Sequence, residues 1–280
     1  MAAHSPVTFS PVFHLKQAPY RSYVVGMALA KDSIPHALYW DSEMPYHYVR
    51  TVDADGMTYL LAGGEDHKTG QEEGRDGEAR FVALAKWTHD HFPGAGPPTI
   101  RWSGQLLEPL DGLAYIGATG ERDCYVATGF SGNGMTHGAI AGILIADLIE
   151  GKRNPWSEIY DPTRSAMSDL SEYVKSNVNS AAQYASWITP GDVSSIEEIS
   201  YGSGAVIREG LRKVAVFRDR NGDTVRLSAV CPHLECIVAW NSAEETWDCP
   251  CHGSRFDARG KVLCGPAVHD LETATEEVKA

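Results

Sequence analysis

Hydrophobic and polar positions fall into short runs over the first 160 residues. Residues 23–29, Tyr-Val-Val-Gly-Met-Ala-Leu, form a mostly apolar stretch that predicts a strand. Residues 46–52 and 58–63 flank Asp55-Gly56, a turn-forming pair, and predict a hairpin. Residues 64–78 are polar and glycine-containing and predict a loop. Residues 79–92 carry apolar side chains at 82, 84, 85 and 87 and predict a helix, ended by Pro93-Gly94 and Pro97-Pro98. Residues 125–128 predict a second strand, 129–138 a glycine-rich turn, and 139–150 a helix. Gly151, Lys152 and Arg153 supply that helix with C-terminal signals.

The pattern then changes. Residues 162–188 place apolar side chains at 167, 170, 174, 178, 181, 185 and 188. Spacings of three and four predict an amphipathic helix, read as packing between two regions, and Pro190-Gly191 stops it. Beyond it, residues 205–208, 214–218 and 224–229 predict short strands, with Asn221-Gly222 as a hairpin turn. This last part predicts a small all-β unit. The division is 1–160, a linker helix over 161–190, and 191–280, and the class is α+β.

Composition narrows the function. A chain of 280 residues with 43% apolar and 22% charged side chains can bury a real core. The longest apolar run, 139–146, stops at Asp147, far short of the roughly 20 residues that a membrane-spanning helix needs. Residues 1–6 have neither a basic start nor an apolar stretch, so no signal peptide and a cytoplasmic location are expected. A net charge of −13 disfavours nucleic acid and anionic membrane surfaces as partners.

The cysteines carry the strongest chemistry. Cys124 stands apart, while Cys231, Cys236, Cys249, Cys251 and Cys264 crowd the last 50 residues among histidines. Cys231-Pro-His233 is followed, 15 residues on, by Cys249-Pro-Cys-His252. Thiolates and imidazoles suit soft and borderline metals. Two short loops, each offering one Cys and one His, fit a structural zinc site or a mixed-ligand [2Fe–2S] cluster.

Cys231-Pro-His-Leu-Glu-Cys236 with Cys249-Pro-Cys-His-Gly-Ser254 resembles the paired signature of Rieske iron–sulfur domains, over about residues 192–280. The resemblance implies that Cys231 and Cys249 hold the inner iron, and His233 and His252 the outer one. It implies a disulfide between Cys236 and Cys251 and a hydrogen bond from Ser254 to a cluster sulfur. Phe256 stands where high-potential members have tyrosine, so one donor fewer should lower the potential. Gly265-Pro266-Ala267 resembles the proline loop over the cluster. Cys124 and Cys264 read as ordinary small apolar residues.

The turn Gly132-Asn-Gly134-Met-Thr-His-Gly138 imitates a dinucleotide fingerprint, but no acidic residue ends a second strand downstream, so an NAD site is rejected. With Trp102-Ser-Gly104, Asp111-Gly112, Ile116-Gly117 and residues 125–138, it resembles the C-terminal half of the glycine oxidase and D-amino acid oxidase family of flavoproteins. The resemblance implies that Gly132, Asn133, Gly134, Met135 and Thr136 touch FAD, where free N–H groups at a helix start favour the charge of a reduced flavin. It covers about residues 9–160, a substrate sheet plus a flavin-contact strand and helix. The family's N-terminal G-x-G-x-x-G unit has no counterpart here, since Gly94-Ala-Gly96 runs into Pro97-Pro98. The flavin part is therefore expected to be partial, which leaves open a separate N-terminal flavin-binding chain as partner. The family's carboxylate-clamping arginine, four residues after the tryptophan, falls on Leu106, which cannot pair with a carboxylate. Tyr46, His47, Tyr48, Arg50, Glu65, Asp66 and His67 are the polar residues expected on the substrate sheet.

The resulting expectation is an oxidoreductase in which an amine-like small molecule is oxidised at FAD and a [2Fe–2S] cluster passes electrons to an acceptor. The alternative is an electron-transfer module whose first half is a scaffold or docking surface.

Overall fold

The computed structural model describes residues 5, 12–43, 46–71, 76–165 and 170–274, with side chains omitted for 170–173. Residues 1–4, on which the leader reading rests in part, and Met167 of the linker stripe lie outside the described residues.

The first part is built on a five-stranded antiparallel sheet. The chain enters through a short helix, α1 (Val12–Leu15), into β1 (Gln17–Leu29), then β2 (Leu38–Trp40), β3 (Tyr48–Ala54), β4 (Met57–Lys68), α2 (Gly77–His91) and β5 (Pro98–Pro109). The strand order is β2-β3-β4-β1-β5. Side chains alternate across a strand. Tyr23, Val25, Met27 and Leu29 of β1 therefore join Leu60 and Ala62 of β4 on one face, where Phe81 and Leu84 of α2 cover them. Ser22 and Val24 lie on the other face, with Tyr48 over Gly63. Asp76 caps α2 by accepting from the Ala79 N–H at 2.8 Å. Asp55 and Gly56, both at positive φ, close the β3–β4 hairpin as expected.

A second layer holds β6 (Tyr115–Ala118), β7 (Tyr125–Thr128) and α3 (Gly134–Ile149), packed through Ala114, Ile116, Ala127, Ala141 and Leu144. After α4 (Ser157–Tyr160) and α5 (Leu170–Ala182) the chain forms a three-stranded sheet, β8 (Ser203–Glu209), β9 (Arg212–Arg218) and β10 (Thr224–Ser228). A four-stranded sheet follows, from β11 (Ala239–Asn241), β12 (Thr246–Asp248), β13 (Arg255–Asp257) and β14 (Val262–Cys264). Among the described residues no helix is long and apolar enough to cross a membrane.

Three expectations need correction. Residues 64–68 are strand, not loop. Their glycines serve close packing: a Cβ on Gly63 would lie 2.1 Å from the Tyr48 ring, and one on Gly64 2.6 Å from His47. Next, α3 starts at Gly134, five residues before the sequence pattern places it. His137 pins this first turn, its Nδ1 lying 3.2 Å from the Phe130 carbonyl. Finally, the linker is not one continuous helix. Residues 162–165 are irregular, held by Arg164 on Asp111 and on the Leu113 and Ala114 carbonyls, and a tighter 3-10 turn over Gln183–Trp187 follows α5. Its apolar stripe also faces outward, with Val174, Val178 and Ile188 exposed. The side turned inward is polar because it answers backbone carbonyls and polar side chains that need partners: Asn177 donates to the Leu15 carbonyl, and Asn179 accepts from Gln71.

Candidate functional site

The two Cys–His loops grow out of neighbouring β-turns in the all-β part. One joins β10 to β11, the other β12 to β13. Each closes in the same way, by a hydrogen bond from the first cysteine to the carbonyl five residues on. Cys231 N donates to Cys236 O at 2.8 Å, and Cys249 N to Ser254 O at 2.8 Å. A return bond tightens each loop, Glu235 N to Cys231 O and Gly253 N to Cys249 O. Gly253 is required for two reasons: its φ is +76°, and a Cβ there would lie 2.5 Å from Pro19.

The loops bring the four singled-out residues together. Cys231 and Cys249 are fully buried, His252 is 8% exposed, and His233 is partly exposed. The imidazole rings of His233 and His252 stand 5.1 Å apart and nearly perpendicular. Nδ1 of each is buried without a hydrogen-bond partner among the described residues. Orphaned buried acceptors are rare and costly. Two such nitrogens beside two buried thiols are the donor set of a mixed-ligand iron–sulfur site, so the residues fit that group.

The electrostatics agree. The Cys231 thiol is drawn down to about 7, first by its hydrogen bond with Cys249, then by the His233 N–H and the Ser254 hydroxyl, against the opposing effect of burial. Cys249, on the other side of that bond and fully buried, is pushed well up. Burial, and then the neighbouring His233, hold the His252 imidazole down at about 4, so it is neutral at pH 7. Burial lowers His233 as well.

The surroundings of the pair are as follows. Cys236 and Cys251 are joined as a disulfide. Their sulfurs and that of Cys249 lie within 4.8 Å of one another, but the bonded pair has no thiolate to offer a metal. Ser254 accepts from Ala267 N at 3.0 Å, which leaves its hydroxyl proton for the Cys231 sulfur. Phe256 is buried in the same core as Trp247 and the four loop cysteines, and Pro266 is buried next to Ala267. Cys124 and Cys264 are half-buried and unbonded to other cysteines.

The glycine turn differs sharply. Gly132, Asn133, Gly134, Met135 and Thr136 are all exposed, Met135 at 92%. Asn133 is the N-cap of α3, and no side chain caps the helix start. The turn meets the second face of the sheet: Ser131 bonds Glu108 of β5, and Tyr46 Oη lies 3.7 Å from where a Gly132 Cβ would be. On that face Ser22 Oγ is 3.4 Å from Tyr48 Oη and bonds Asp66, whose carboxyl is pushed up to about 6 by burial, with Glu108 adding to the rise. Leu106 pairs with Tyr20, and Arg50 stands exposed on β3. His47 and His67 point to the opposite face, His47 stacked on Trp87 at 4.1 Å and His67 on Tyr23 at 5.7 Å. His47 Nε2 lies 3.6 Å from the Glu65 carboxylate. The seven polar residues are therefore divided between two faces.

Sequence reasoning missed the surface that joins the two parts. Arg21 of β1, 1% exposed, pairs with Glu244, which also accepts from Ser103 at 2.7 Å and binds Arg255. Gln105 donates to Gly253 O at 2.9 Å, and Gln71 to Pro250 O at 3.0 Å. His14 reaches the cysteine loops as well, its ring 4.8 Å from His233 and 5.8 Å from His252. These residues are scattered over some 240 positions of sequence, so no local motif could have marked them.

Comparison with known proteins agrees with both halves. Residues 2–148 match the DAO family, FAD dependent oxidoreductase, and residues 189–275 match the Rieske [2Fe-2S] domain. The chain is 34% identical over 255 residues to YhfW of Bacillus subtilis (strain 168), named for a Rieske 2Fe-2S iron-sulfur protein, covering 90% of this chain and 49% of that one. It thus spans about half the length of that relative. It is 30% identical over 150 residues to the cytochrome b6-f complex iron-sulfur subunit of Synechococcus sp. (strain WH7803), covering 52% of this chain and 77% of the subunit. Glycine oxidase from Geobacillus kaustophilus matches at a TM-score of 0.44 and 21% identity, covering 54% of this chain and 40% of the enzyme. Over its first half, the chain belongs to the DAO family of FAD-dependent oxidoreductases, and to this it joins a C-terminal Rieske [2Fe–2S] domain.

Proposed function

We propose that Cys231, His233, Cys249 and His252 hold a [2Fe–2S] cluster, and that this cluster carries electrons from an FAD-dependent oxidation of an amine-like small molecule to an acceptor. The observation that carries the reading is the pair of buried, unpartnered Nδ1 atoms beside two buried thiols. When bound, the cluster supplies reversible one-electron storage and FAD supplies two-electron oxidation of the substrate.

The chain's own residues prepare both sites. Burial keeps His252 neutral, so its lone pair is available to iron without first losing a proton. Neutral imidazoles in place of two thiolates leave the site less negative and favour the reduced state. Ser254 donates to a ligand sulfur, which favours the reduced state further. Phe256 offers no hydroxyl, which works against it.

Gly134, Met135 and Thr136 turn the backbone N–H groups of the first turn of α3 outward, suited to an anionic edge of flavin, and Gly132 and Asn133, the latter donating its own N–H to the Phe130 carbonyl, shape the turn before them. Beside them, Tyr46, Tyr48, Ser22, Asp66 and Glu108 form the polar face proposed to receive the substrate. The flavin-binding N-terminal part enters this reading either on the same polypeptide or on a separate chain.

The test is a visible spectrum and low-temperature EPR on the purified chain, with and without added FAD. A reduced signal with a g-average below 2 is expected from mixed Cys/His ligation. One zinc and no iron would overturn the cluster. An iron-loaded chain that never retains FAD would leave an electron-transfer module whose first half is a docking surface, a role already favoured by the Arg21–Glu244 and Gln105–Gly253 contacts.

A further inference from the structure

The histidine side of the cluster site is largely covered from within the chain, with His252 8% and His233 partly exposed. His14, on the short helix that leads into β1, is 9% exposed and sets its ring edge-on to both His233 and His252. The other side is strapped by α5 and the 3-10 turn after it. Ser180 Oγ reaches Cys251 O at 3.5 Å, Tyr184 donates to Leu234 O, and Trp187 Nε1 donates to Glu235 O at 2.9 Å. Residues 13–17, which include His14, also lead toward the glycine turn. Phe13 packs on Tyr115 of β6 at 6.1 Å. Gln17 is 5% exposed, both its amide atoms lack hydrogen-bond partners among the described residues, and its Oε1 would lie 3.1 Å from a Cβ on Gly129, at the base of the turn. One short segment thus touches the cluster histidines at one end and the foot of the proposed flavin-facing turn at the other.

We infer that His14 is a positioning residue that makes the histidine edge of the cluster site an internal contact, facing the FAD-dependent half and closed to outside redox proteins. The inference rests on the cluster assignment proposed above. The cluster then works in its docked position, held by α5 and by the Arg21–Glu244 and Gln105–Gly253 contacts, without swinging out. Each transfer moves one electron: a reduced flavin gives it up and one ferric ion of the pair becomes ferrous. A one-electron acceptor later takes it through a face other than the histidine edge.

The experiment uses the full chain with its cluster loaded, reduced with dithionite and freed of excess reductant. It is mixed in stopped flow with tris-phenanthroline cobalt(III), a one-electron oxidant that becomes cobalt(II) as ferrous iron becomes ferric. The wild-type reaction is expected to be slow, and His14→Gly to raise its second-order rate by about tenfold or more, since an open patch relaxes the orientational constraint on encounter. His14→Phe keeps an edge-on ring and should return the rate to wild type. Should His14→Gly fail to hold a cluster, the double variant Arg21→Ala, Gln105→Ala opens the same edge from the far side of the interface and should also react faster. A chain that takes up no iron overturns the cluster assignment and this inference with it. A loaded chain whose variants all react at the wild-type rate overturns this inference alone.

Discussion

Cys231 and Cys249 are surrounded by their own part of the chain, whereas Gly132 to Thr136 stand open to solvent. Both candidate sites sit on turns. The difference lies in who completes them. The cysteine loops close on themselves through bonds five residues apart, and a local core of Trp247, Phe256 and Val238 shields them. The glycine turn has free N–H groups and an apolar, uncovered helix behind it, with Ile143 and Ile149 half or more exposed. A site completed locally can bury its donors and shift their pKa values. A site that awaits other groups keeps its donors in water.

The sharpest way to break this comparison is Cys231→Ser. It should abolish the visible and EPR signals of the cluster, while Cys124→Ser leaves them in place. Survival of the spectrum in the first variant would sink the ligand assignment.

Next in size is the interface. Arg21→Ala removes one of the two guanidinium groups on Glu244, with Arg255 and Ser103 remaining, and unfolding by urea should show a loss of about 2–3 kcal/mol. Arg101→Ala, which removes an exposed pair with Glu78, should cost about 1 kcal/mol or less. Equal costs would mean that the two parts of the chain are not docked in solution.

Acid should act through His67. Burial holds its imidazole down at about 3, with Arg80 and Arg21 adding to this, while in the unfolded chain it titrates near 6.5. Between those values the unfolded state binds the extra proton. Stability is therefore complete above pH 6.5 and is lost as pH falls toward 3, by at most about 1.4 kcal/mol per pH unit from this group. Urea midpoints of His67→Gln should show a flatter acid limb. An unchanged limb would mean the ring is not buried neutral.

Smaller again is the tuning of potential. Ser254→Ala removes a donor to a ligand sulfur and should lower the midpoint potential by roughly 50 mV, about 1.2 kcal/mol for one electron and the net worth of about one ordinary hydrogen bond. Phe256→Tyr should raise it if the hydroxyl finds the cluster. Redox titration followed by EPR reads both.

The smallest effect expected is that of Asn133→Ala on stability, within about 0.5 kcal/mol, because its side chain bonds only the Ser131 carbonyl and caps no helix N–H. A change in FAD retention by this variant, at unchanged stability, would tie the turn to flavin.

Local signals were legible in the chain and long-range ones were not. The Asp55-Gly56 hairpin, the strand at 125–128 and the two Cys–His loops all rest on residues within a few positions of one another. The glycines at 63 and 64 misled because their role depends on Tyr48 and His47, which lie across the hairpin. The linker stripe misled because hydrophobic spacing reports an amphipathic helix but not which side a polar surface will claim. The twelve-residue strand β5 went unread: Arg101, Ser103, Gly104 and Gln105 break its apolar pattern, and they do so because Ser103 and Gln105 meet the all-β part.

By itself, the sequence determined the α+β class, the two parts and the candidate ligands, since these depend on short spacings and residue chemistry, while the pairing of Cys236 with Cys251 was what the resemblance to Rieske domains implied. Only the tertiary structure decided that Arg21 and Gln105 dock the two parts on each other and that His14 covers the histidine side of the cysteine loops. Those contacts join residues between 148 and 238 positions apart, and the chain can bring such groups together only after its sheets have packed.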